Sequence, residues 1–422
     1  MIQIILVSFF NCIFLNNFTV MRKTHLWLEE PIEADDSTTV SVTIENHDQS
    51  RTRLWYRVPS KYASLISPSC DPFVVATLML AMSLSTDVVV HGEVSPSLLR
   101  NLEEFQAAWI CWCPQKYQKI EIQAEVEREQ PTTTPEEKAI AAFSGGVDSC
   151  FTVFRHKNGH YGRLTRNLQA GLMVHGFDIP LAQQQVFERA AEKSKAILES
   201  LGVKLILMES NYREVITLNW EDTYGTAIAS CMLLLQGGYT TGLLGSAFPY
   251  QNLMLPRGSN PVTDYLLSQT AFQIVHDGAG FTRQQKIQEI ANWSEALQNL
   301  RVCWEGKQLD RNCGRCEKCI RTILGFRVAG LGLPPCFEQD VTDSQVLAIK
   351  CFKNFQLAEL ELILQTAQVA GNSESWVRAL EQCVKRNQRL ITLKPSNATQ
   401  RKWSSFMLKG RLRQVRSLLF RK

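Results

Sequence analysis

Six consecutive residues combine backbone freedom with hydroxyl and carboxylate side chains; they are Ser144, Gly145, Gly146, Val147, Asp148 and Ser149. A glycine pair lets backbone N–H groups turn toward an anion, and a helix that follows adds the positive end of its dipole. The serine hydroxyls can donate to phosphate oxygens, while Asp148 can either hold the loop or bind Mg²⁺. The segment predicts a phosphate-binding loop that is not a Walker loop, because it lacks the pattern G-x-x-x-x-G-K-[ST].

Four cysteines further along the chain have the spacing of metal ligands. Cys313, Cys316 and Cys319 are separated by two residues each, and Cys303 can complete a tetrahedral site of four thiolates. We favour zinc over an iron–sulfur cluster, because neither a further cysteine nor a proline follows Cys319 at ferredoxin spacing. An iron–sulfur cluster and unligated thiols are the alternatives.

Other candidate residues have two interpretations each. Arg283 and Lys286 lie three residues apart, so on a helix they share a face that either contacts phosphates or is solvated. Ser246 ends a predicted strand, where it either contacts a nucleotide or caps the next turn. His175 and Asp178 lie at the end of another predicted strand, near the expected position of an adenine or a substrate, although Asp178 also suits a turn.

Three more residues have side chains that are capable of chemical roles. Asp264 either recognises a polar group of a substrate or begins a helix, and the sequence does not separate these roles. Cys150 and Cys231 fall in apolar helical segments, so we expect buried packing residues rather than nucleophiles.

The elements that must position these residues alternate between strand and helix from residue 138 onward. We predict strands at 139–143, 170–175, 203–208 and 241–245, and helices at 182–201 and 224–236. This alternation is typical of a parallel, doubly wound sheet, in which ligands bind at the carboxyl ends of the strands. The expected fold class is α/β, with the phosphate loop after the first of these strands.

The chain of 422 residues is long enough for two or three domains, and its 45% hydrophobic residues can form a sizeable core. We predict five regions. They are an apolar segment at 1–20 that is either over-translated sequence or a short membrane anchor, an α+β domain at 21–126, a linker at 127–137, a domain at 138–335 that holds the phosphate loop and the four spaced cysteines (the cysteine knuckle), and a helical region with a basic tail at 336–422.

Composition bears on the compartment and on the partners. Thirteen cysteines are too few for a disulfide framework, and metal-binding thiols must stay reduced, so we expect a reducing, cytoplasmic setting. The formal net charge is +4, but residues 401–422 hold eight lysines and arginines and no acidic residue. The rest of the chain is therefore mildly acidic. A small-molecule substrate is favoured over a nucleic acid or a membrane, and a homo-oligomer is compatible with the sequence.

The loop at residues 144–149 matches the PP-loop of the N-type ATP pyrophosphatases, and the chain resembles that superfamily. The resemblance implies a HUP-type fold and an enzyme that binds ATP and Mg²⁺ and cleaves ATP between its α and β phosphates. It implies catalytic roles for Asp148, Ser149 and Lys286. The whole loop, Ser246 and Arg283 would contact the nucleotide.

The cysteine region narrows this resemblance. A basic helix precedes Cys303, and the sequence Cys-Gly-Arg-Cys is followed by Arg321 and Phe326, which is similar to the 7-cyano-7-deazaguanine synthases of queuosine biosynthesis. The similarity spans residues 138–329, under half of the chain. It implies Zn²⁺ on the four cysteines and a carboxy-deazaguanine that is amidated and then dehydrated to a nitrile.

Two segments depart from that family and leave the substrate open. Residues 175–178 replace an Asp-Tyr-Gly-Gln type of turn, and residues 258–264 differ in the substrate stretch. The sequence favours an ATP-dependent ligase that activates a carboxylate or carbonyl oxygen of a small molecule for attack by ammonia or another nitrogen nucleophile. The alternatives are a PP-loop sulfurtransferase that acts on tRNA, and a non-catalytic, zinc-stabilised protein that senses nucleotide.

The basic tail offers a test of the partner class. Leu408, Leu412, Val415 and Leu419 fall on one helical stripe, which favours docking of the tail on the acidic body over binding of RNA phosphates. We therefore expect weak, non-specific tRNA binding at near-physiological salt, measured by titration of the full chain and of a chain that ends at Gln400. Tight binding that disappears on truncation would contradict a small-molecule substrate.

Overall fold

The computed structural model describes residues 22–132, 136–303 and 305–393. They form two compact units, of which the first ends at Gln339 and the second begins at Asp340. Segment 1–20 and the basic tail at 401–422 lie outside the described residues. In the part of the chain that is described, no helix has the length and apolar character needed to cross a membrane.

The first unit is built on one mixed sheet of 11 strands, most of whose pairs are parallel. The spatial order is β11-β10-β7-β8-β9-β4-β3-β1-β5-β6, and β2 pairs with β3. The strands are β1 Lys23–Leu28, β2 Ile32–Ala34, β3 Ser37–Glu45, β4 Arg51–Pro59, β5 Asp87–Val94, β6 Ile122–Glu127, β7 Ala139–Ala142, β8 Leu168–His175, β9 Lys204–Ser210, β10 Thr241–Gly245 and β11 Gln273–Asp277.

Helices of the first unit follow the strands along the chain. They are α1 Asp71–Leu84, α2 Pro96–Trp112, α3 Val147–Lys157, α4 Gln184–Glu199, α5 Tyr212–Val215, α6 Trp220–Leu234, α7 Arg283–Glu289, α8 Ser294–Asn299 and α9 Glu317–Val328. Helix α1 is apolar on every side because it is enclosed, packing against α6 as well as the sheet. One continuous hydrophobic cluster extends across the sheet, from Val90 in β5, next to one edge strand, to Ile274 in β11, the other edge strand.

Strands β7 to β10 lie at the four predicted positions, and β11 is a strand that the sequence did not predict. Together these five strands confirm the α/β class. All four of their pairings are parallel, and β7 lies in the middle of them. The chain runs outward from β7 in both directions, to β8 and β9 on one side and to β10 and β11 on the other. Ligands bind at such a reversal of strand order, so this half of the sheet places its ligand edge beside the carboxyl end of β7.

The sheet as a whole differs from the predicted doubly wound parallel sheet, because antiparallel pairs interrupt it. Strand β3 is antiparallel to both β1 and β4, and β4 is antiparallel to β9. The pairing of β4 with β9 joins the strands of the predicted N-terminal region to those of the predicted ATP-binding region. It covers the edge of β9, whose unpaired N–H and C=O groups would otherwise need other partners.

The second unit is helical in its described part, and consists of α10 Asp343–Ala348, α11 Asn354–Val369 and α12 Ser375–Leu393. Its helical character matches the interpretation of the sequence from residue 336 onward. The apolar positions that recur along α11 are all buried, at Leu357, Leu360, Leu364 and Ala367. The buried stripe packs in part against α12.

The seam between β4 and β9 yields a prediction about stability. Beyond the strand pairing, the Asn211 amide accepts a hydrogen bond from Trp55 N (2.9 Å) and donates one to Arg53 O (2.8 Å). Replacing Asn211 with Ala removes both bonds, so we expect the free energy of unfolding in urea to fall by about 1–2 kcal/mol. The control is Asn158→Ala, because that exposed amide bonds only within its own helix turn. Equal losses in the two variants would contradict a structural role for the seam.

Candidate functional site

The loop that connects β7 to α3 is shaped by Gly145. This residue has φ = +73°, and a Cβ added to it would lie 3.3 Å from Ser194 Oγ. The carbonyl oxygen of Gly145 accepts a hydrogen bond from Arg301 N at 2.8 Å. The position therefore needs both the left-handed conformation and the absence of a side chain, which is the reason for glycine here.

The rest of the loop places the start of α3 at the ligand edge. Gly146 precedes the first residue of the helix, and Val147 is buried beneath it. Ser149 Oγ donates to Gly146 O at 3.1 Å, and Ser144 is exposed, with its Oγ 3.5 Å from Ser149 Oγ. Ser144 can therefore reach a ligand directly, whereas Ser149 mainly holds the turn.

Asp148 is the residue around which the charged groups of the site gather. Its Oδ1 lies 3.1 Å from Lys286 Nζ and its Oδ2 lies 3.1 Å from Arg283 Nη1. Both cations come from α7, whose start is fixed by a capping box between Thr282 and Gln285. The side chains of Arg283 and Lys286 are almost fully buried, so the shared face predicted from their spacing points at the loop and not at solvent.

The electrostatics of this cluster favour a charged Asp148. Burial by itself would raise the pKa of Asp148, but the charges of Lys286 and Arg283 outweigh it and lower the pKa to about 2. Because each carboxylate oxygen already faces a cation, Asp148 does not fit the alternative role of a Mg²⁺ ligand. It fits the role of holding the two cations beside the loop.

Two further cations of the site were missed from the sequence. Arg301 is buried, with Nη2 3.6 Å from Asp178 Oδ2 and with an Nε that has no hydrogen-bond partner. Lys318 forms no ion pair with any described carboxylate. Desolvation and then the charge of Arg283 lower the pKa of Lys318, and Asp148 partly offsets this. The sequence did offer a signal for each residue. Arg301 lies two residues before Cys303, and Lys318 lies between Cys316 and Cys319.

Charge is unbalanced at this edge of the sheet. Four cationic side chains, Arg283, Lys286, Arg301 and Lys318, are opposed by the carboxylates of Asp148 and Asp178. Buried guanidinium and ammonium groups are stable only with anionic or polar partners. The excess positive charge, together with the backbone N–H groups at the start of α3, suits a polyanionic ligand such as a phosphate chain.

The other predicted residues lie in different surroundings. His175 is buried; its ring stacks on Phe187 and its Nε2 lies 3.0 Å from Pro180 O, so it packs the turn after β8. Asp178 is half exposed and faces Arg301. Cys150 and Cys231 are buried, as predicted, and burial raises the pKa of both thiols.

Ser246 and Asp264 are brought together by a residue that the sequence analysis missed, His276. The Ser246 hydroxyl is buried and lies 2.8 Å from His276 Nε2, while the Ser246 carbonyl accepts a hydrogen bond from Lys286. Asp264 is also buried, with Oδ2 2.8 Å from His276 Nδ1. A histidine one residue before the end of β11 gives no local sequence signal for this contact.

The four cysteines of the predicted metal site come together. Their sulfur atoms all lie within 4.8 Å of one another, with Cys303 Sγ 3.8 Å from Cys316 Sγ and Cys313 Sγ 3.9 Å from Cys319 Sγ. Four thiolates at a Zn–S distance of ~2.3 Å in tetrahedral geometry have sulfur atoms about 3.8 Å apart. The group could therefore hold a metal ion such as zinc.

Local hydrogen bonds shape this knuckle. Gly314 has φ = +69°, which allows the turn after Cys313, and Cys316 N and Cys319 N donate to the sulfur atoms three residues earlier. Hydrogen bonds from the thiols of Cys316 and Cys319 lower the pKa of Cys303. The set already favours a thiolate, which is the form that binds metal.

Asn312 holds the two arms of the knuckle together. Its Oδ1 accepts hydrogen bonds from the backbone N–H groups of Val302 (2.9 Å) and Cys303 (3.2 Å), and its Nδ2 donates to Leu300 O (2.8 Å). The segment that carries Cys303 is thereby fixed next to Cys313, so this side chain positions Cys303 relative to the other three cysteines.

Comparisons of the chain with models of known protein families, with curated proteins and with solved structures find no match.

The metal centre can be tested by elemental analysis. We expect about one zinc ion per chain, because four closely spaced thiolates suit tetrahedral zinc. Cys316→Ser should lose the metal and lower the melting temperature, since a structural metal contributes folding free energy.

The control for that experiment is Cys111→Ser. Cys111 is an exposed cysteine near the end of α2, and its sulfur is not in the cluster. It should keep both the metal and the melting temperature. Iron together with acid-labile sulfide in protein prepared without oxygen would contradict zinc.

Proposed function

We propose that this chain is an ATP-dependent adenylating enzyme of the PP-loop type. It cleaves ATP to AMP and pyrophosphate and so activates a carboxylate or carbonyl oxygen of a small molecule for attack by a nitrogen nucleophile. The observation that carries the proposal is the cation cluster that Asp148 gathers beside the loop at the carboxyl end of β7.

The strand order supports the nucleotide-binding part of the proposal. The loop follows β7, the middle one of five parallel strands. Their order, β11-β10-β7-β8-β9, is the order expected for a HUP-type domain. The loop lies where the order reverses, so its N–H groups and the first turn of α3 line the ligand crevice.

The charges support a ligand with several phosphates. Lys286 and Arg283 both face Asp148, Lys318 lies close enough to Arg283 for that charge to lower the pKa of Lys318, and Arg301 faces Asp178. A triphosphate carries enough negative charge to engage several of these cations. Cations fixed before the reaction can stabilise the charge that develops on the departing pyrophosphate without reorganising.

The substrate has to be activated because a carboxylate or carbonyl oxygen is a poor leaving group. A carboxylate oxygen does not leave, so it attacks the α phosphate, the bond to the β phosphate breaks, and pyrophosphate departs with its charge neutralised. The nitrogen nucleophile then displaces AMP. In this proposal the chain supplies position and charge: the loop orients the phosphates, and Lys286 and Arg283, held by Asp148, stabilise the transition state.

The alternative of a tRNA sulfurtransferase requires an accessible thiol in the crevice. Cys150, the cysteine that directly follows the loop, is buried and its pKa is raised by burial, so it does not suit a persulfide-forming nucleophile. This observation favours the adenylating enzyme.

The products of ATP turnover test the proposal. Incubation of the protein with ATP and a small-molecule extract should release AMP and pyrophosphate, measured by chromatography. Asp148→Asn should reduce the rate by about 10²-fold or more, because Lys286 and Arg283 lose the anion that positions them. Release of ADP and orthophosphate would contradict the assignment.

The control variant for the ATP experiment is Asp48→Asn. Asp48 is an exposed aspartate whose carboxylate bonds only to Ser50 in the turn between β3 and β4. This variant should retain the wild-type rate. ATP binding without any product would instead favour the hypothesis of a nucleotide-sensing protein.

A further inference from the structure

Ser246, His276 and Asp264 form a buried hydrogen-bond relay at the carboxyl ends of β10 and β11. Asp264 Oδ2 lies 2.8 Å from His276 Nδ1, and His276 Nε2 lies 2.8 Å from Ser246 Oγ. The Asp264 side chain is completely buried and that of His276 is 7% exposed. Sheet geometry brings Ser246 and His276 to the same face. Leu244 and His276 are register partners, and Ser246 follows two residues after Leu244.

The aspartate is fixed by neighbours in its own segment, residues 258–264. Ser259 Oγ donates to Asp264 Oδ2 at 2.6 Å, and Asn260 N donates to Asp264 Oδ1 at 3.0 Å. A carboxylate that accepts three hydrogen bonds cannot turn freely, so it fixes the orientation of the imidazole ring.

The order of these side chains is that of a hydrolase triad, but the surroundings of Ser246 give it another role. Its hydroxyl is enclosed, and it bonds both N and O of Phe248 in addition to His276. What Ser246 presents to the phosphate site is its main-chain carbonyl, which accepts a hydrogen bond from Lys286 Nζ. The same ammonium group contacts Asp148.

We propose that His276 is a positioning residue, which acts through Ser246 to hold the Lys286 ammonium at the phosphate site. The hydrogen-bonded chain runs from Asp264 through His276 and Ser246 to Lys286 and Asp148. It links the segment at residues 258–264 to the phosphate loop. This inference rests on the proposed function, because it assigns Lys286 to the phosphates of a nucleotide.

The physical reason is that Lys286 has two fixed partners. Its ammonium group bonds both the Asp148 carboxylate and the Ser246 carbonyl, so its position depends on both. Without the relay, the Ser246 hydroxyl no longer helps to hold its own peptide group, and the carbonyl that accepts from Lys286 is less firmly fixed. The ammonium group is then less well positioned for a ligand.

A double-mutant cycle between Ser246→Ala and Lys286→Met tests the proposal. The affinity for a non-hydrolysable ATP analogue is measured by calorimetry for the wild type, both single variants and the double variant. We expect Ser246→Ala to weaken binding about tenfold in the wild-type background, the effect of one charge-assisted hydrogen bond. It should have no further effect once Lys286 is Met. Equal effects in both backgrounds would overturn the proposal.

The control is Ser230→Ala, which removes another buried serine hydroxyl. Ser230 Oγ bonds Tyr56 OH at 2.7 Å in the hydrophobic core, away from the relay. This variant should weaken binding by less than twofold in either background. If Ser246→Ala does not fold, Asp264→Asn takes its place in the cycle, because it disturbs the same relay from the other end.

Urea unfolding of the four proteins of the cycle, and of the Ser230→Ala variants in both backgrounds, gives a second readout that needs no nucleotide. The relay predicts that Ser246→Ala and Lys286→Met change the free energy of unfolding non-additively, whereas Ser230→Ala and Lys286→Met add. Non-additive unfolding without ATP binding would refute the proposed function and leave the relay standing. ATP binding with additive unfolding and additive affinities would refute the relay alone.

Discussion

The ion pairs between Asp148 and the two cations of α7 are the interaction on which the rest of the site depends. Lys286 and Arg283 come from a short helix far along the chain, and their burial is tolerable only because a carboxylate faces them. Asp148 lies in the first turn of α3, where the loop ends. Its ion pairs therefore hold α7 against both the loop and the start of α3. Removing its charge would leave two buried cations without an anion at the edge where β7 ends.

Helix α9 connects the cysteine knuckle to the cation cluster. Cys316 caps α9, and Lys318 lies between two cysteines of the knuckle in the first turn of that helix. One turn further on, Thr322 accepts a hydrogen bond from Arg283 Nη2 at 3.2 Å. A metal ion bound by the four sulfur atoms would therefore fix the start of α9, and with it the positions of Lys318 and Arg283. Such an ion would have a structural role next to the loop at residues 144–149.

Pairing of β4 with β9 unites strands that belong to distant parts of the sequence. The polar segment at 127–137 has the composition of a linker, yet the strands on either side of it share one sheet and one hydrophobic cluster. The two strands pair at Tyr56 with Ser210 and at Arg57 with Glu209, and the Asn211 side chain adds two hydrogen bonds between them. The parallel strands β7 to β11 are thereby attached to a second half of the sheet that shields their outer strand, β9.

The sequence by itself determined the features that depend on local spacing. Glycine pairs, strand periodicity and cysteines two residues apart predict the loop, four of the five strands around it and three sulfur atoms of the knuckle, because each follows from neighbours in the chain. It did not predict β1 or β11, whose short runs carry a mixture of apolar and polar residues.

Only the tertiary structure decided which distant groups meet. The partners of Asp148 are more than 130 positions away, His276 joins Ser246 to Asp264 across three segments, and Arg301 reaches Asp178. The same holds for the β4–β9 seam. These contacts depend on the packing of the whole sheet, in which burial and charge pairing are settled between residues that no local pattern relates.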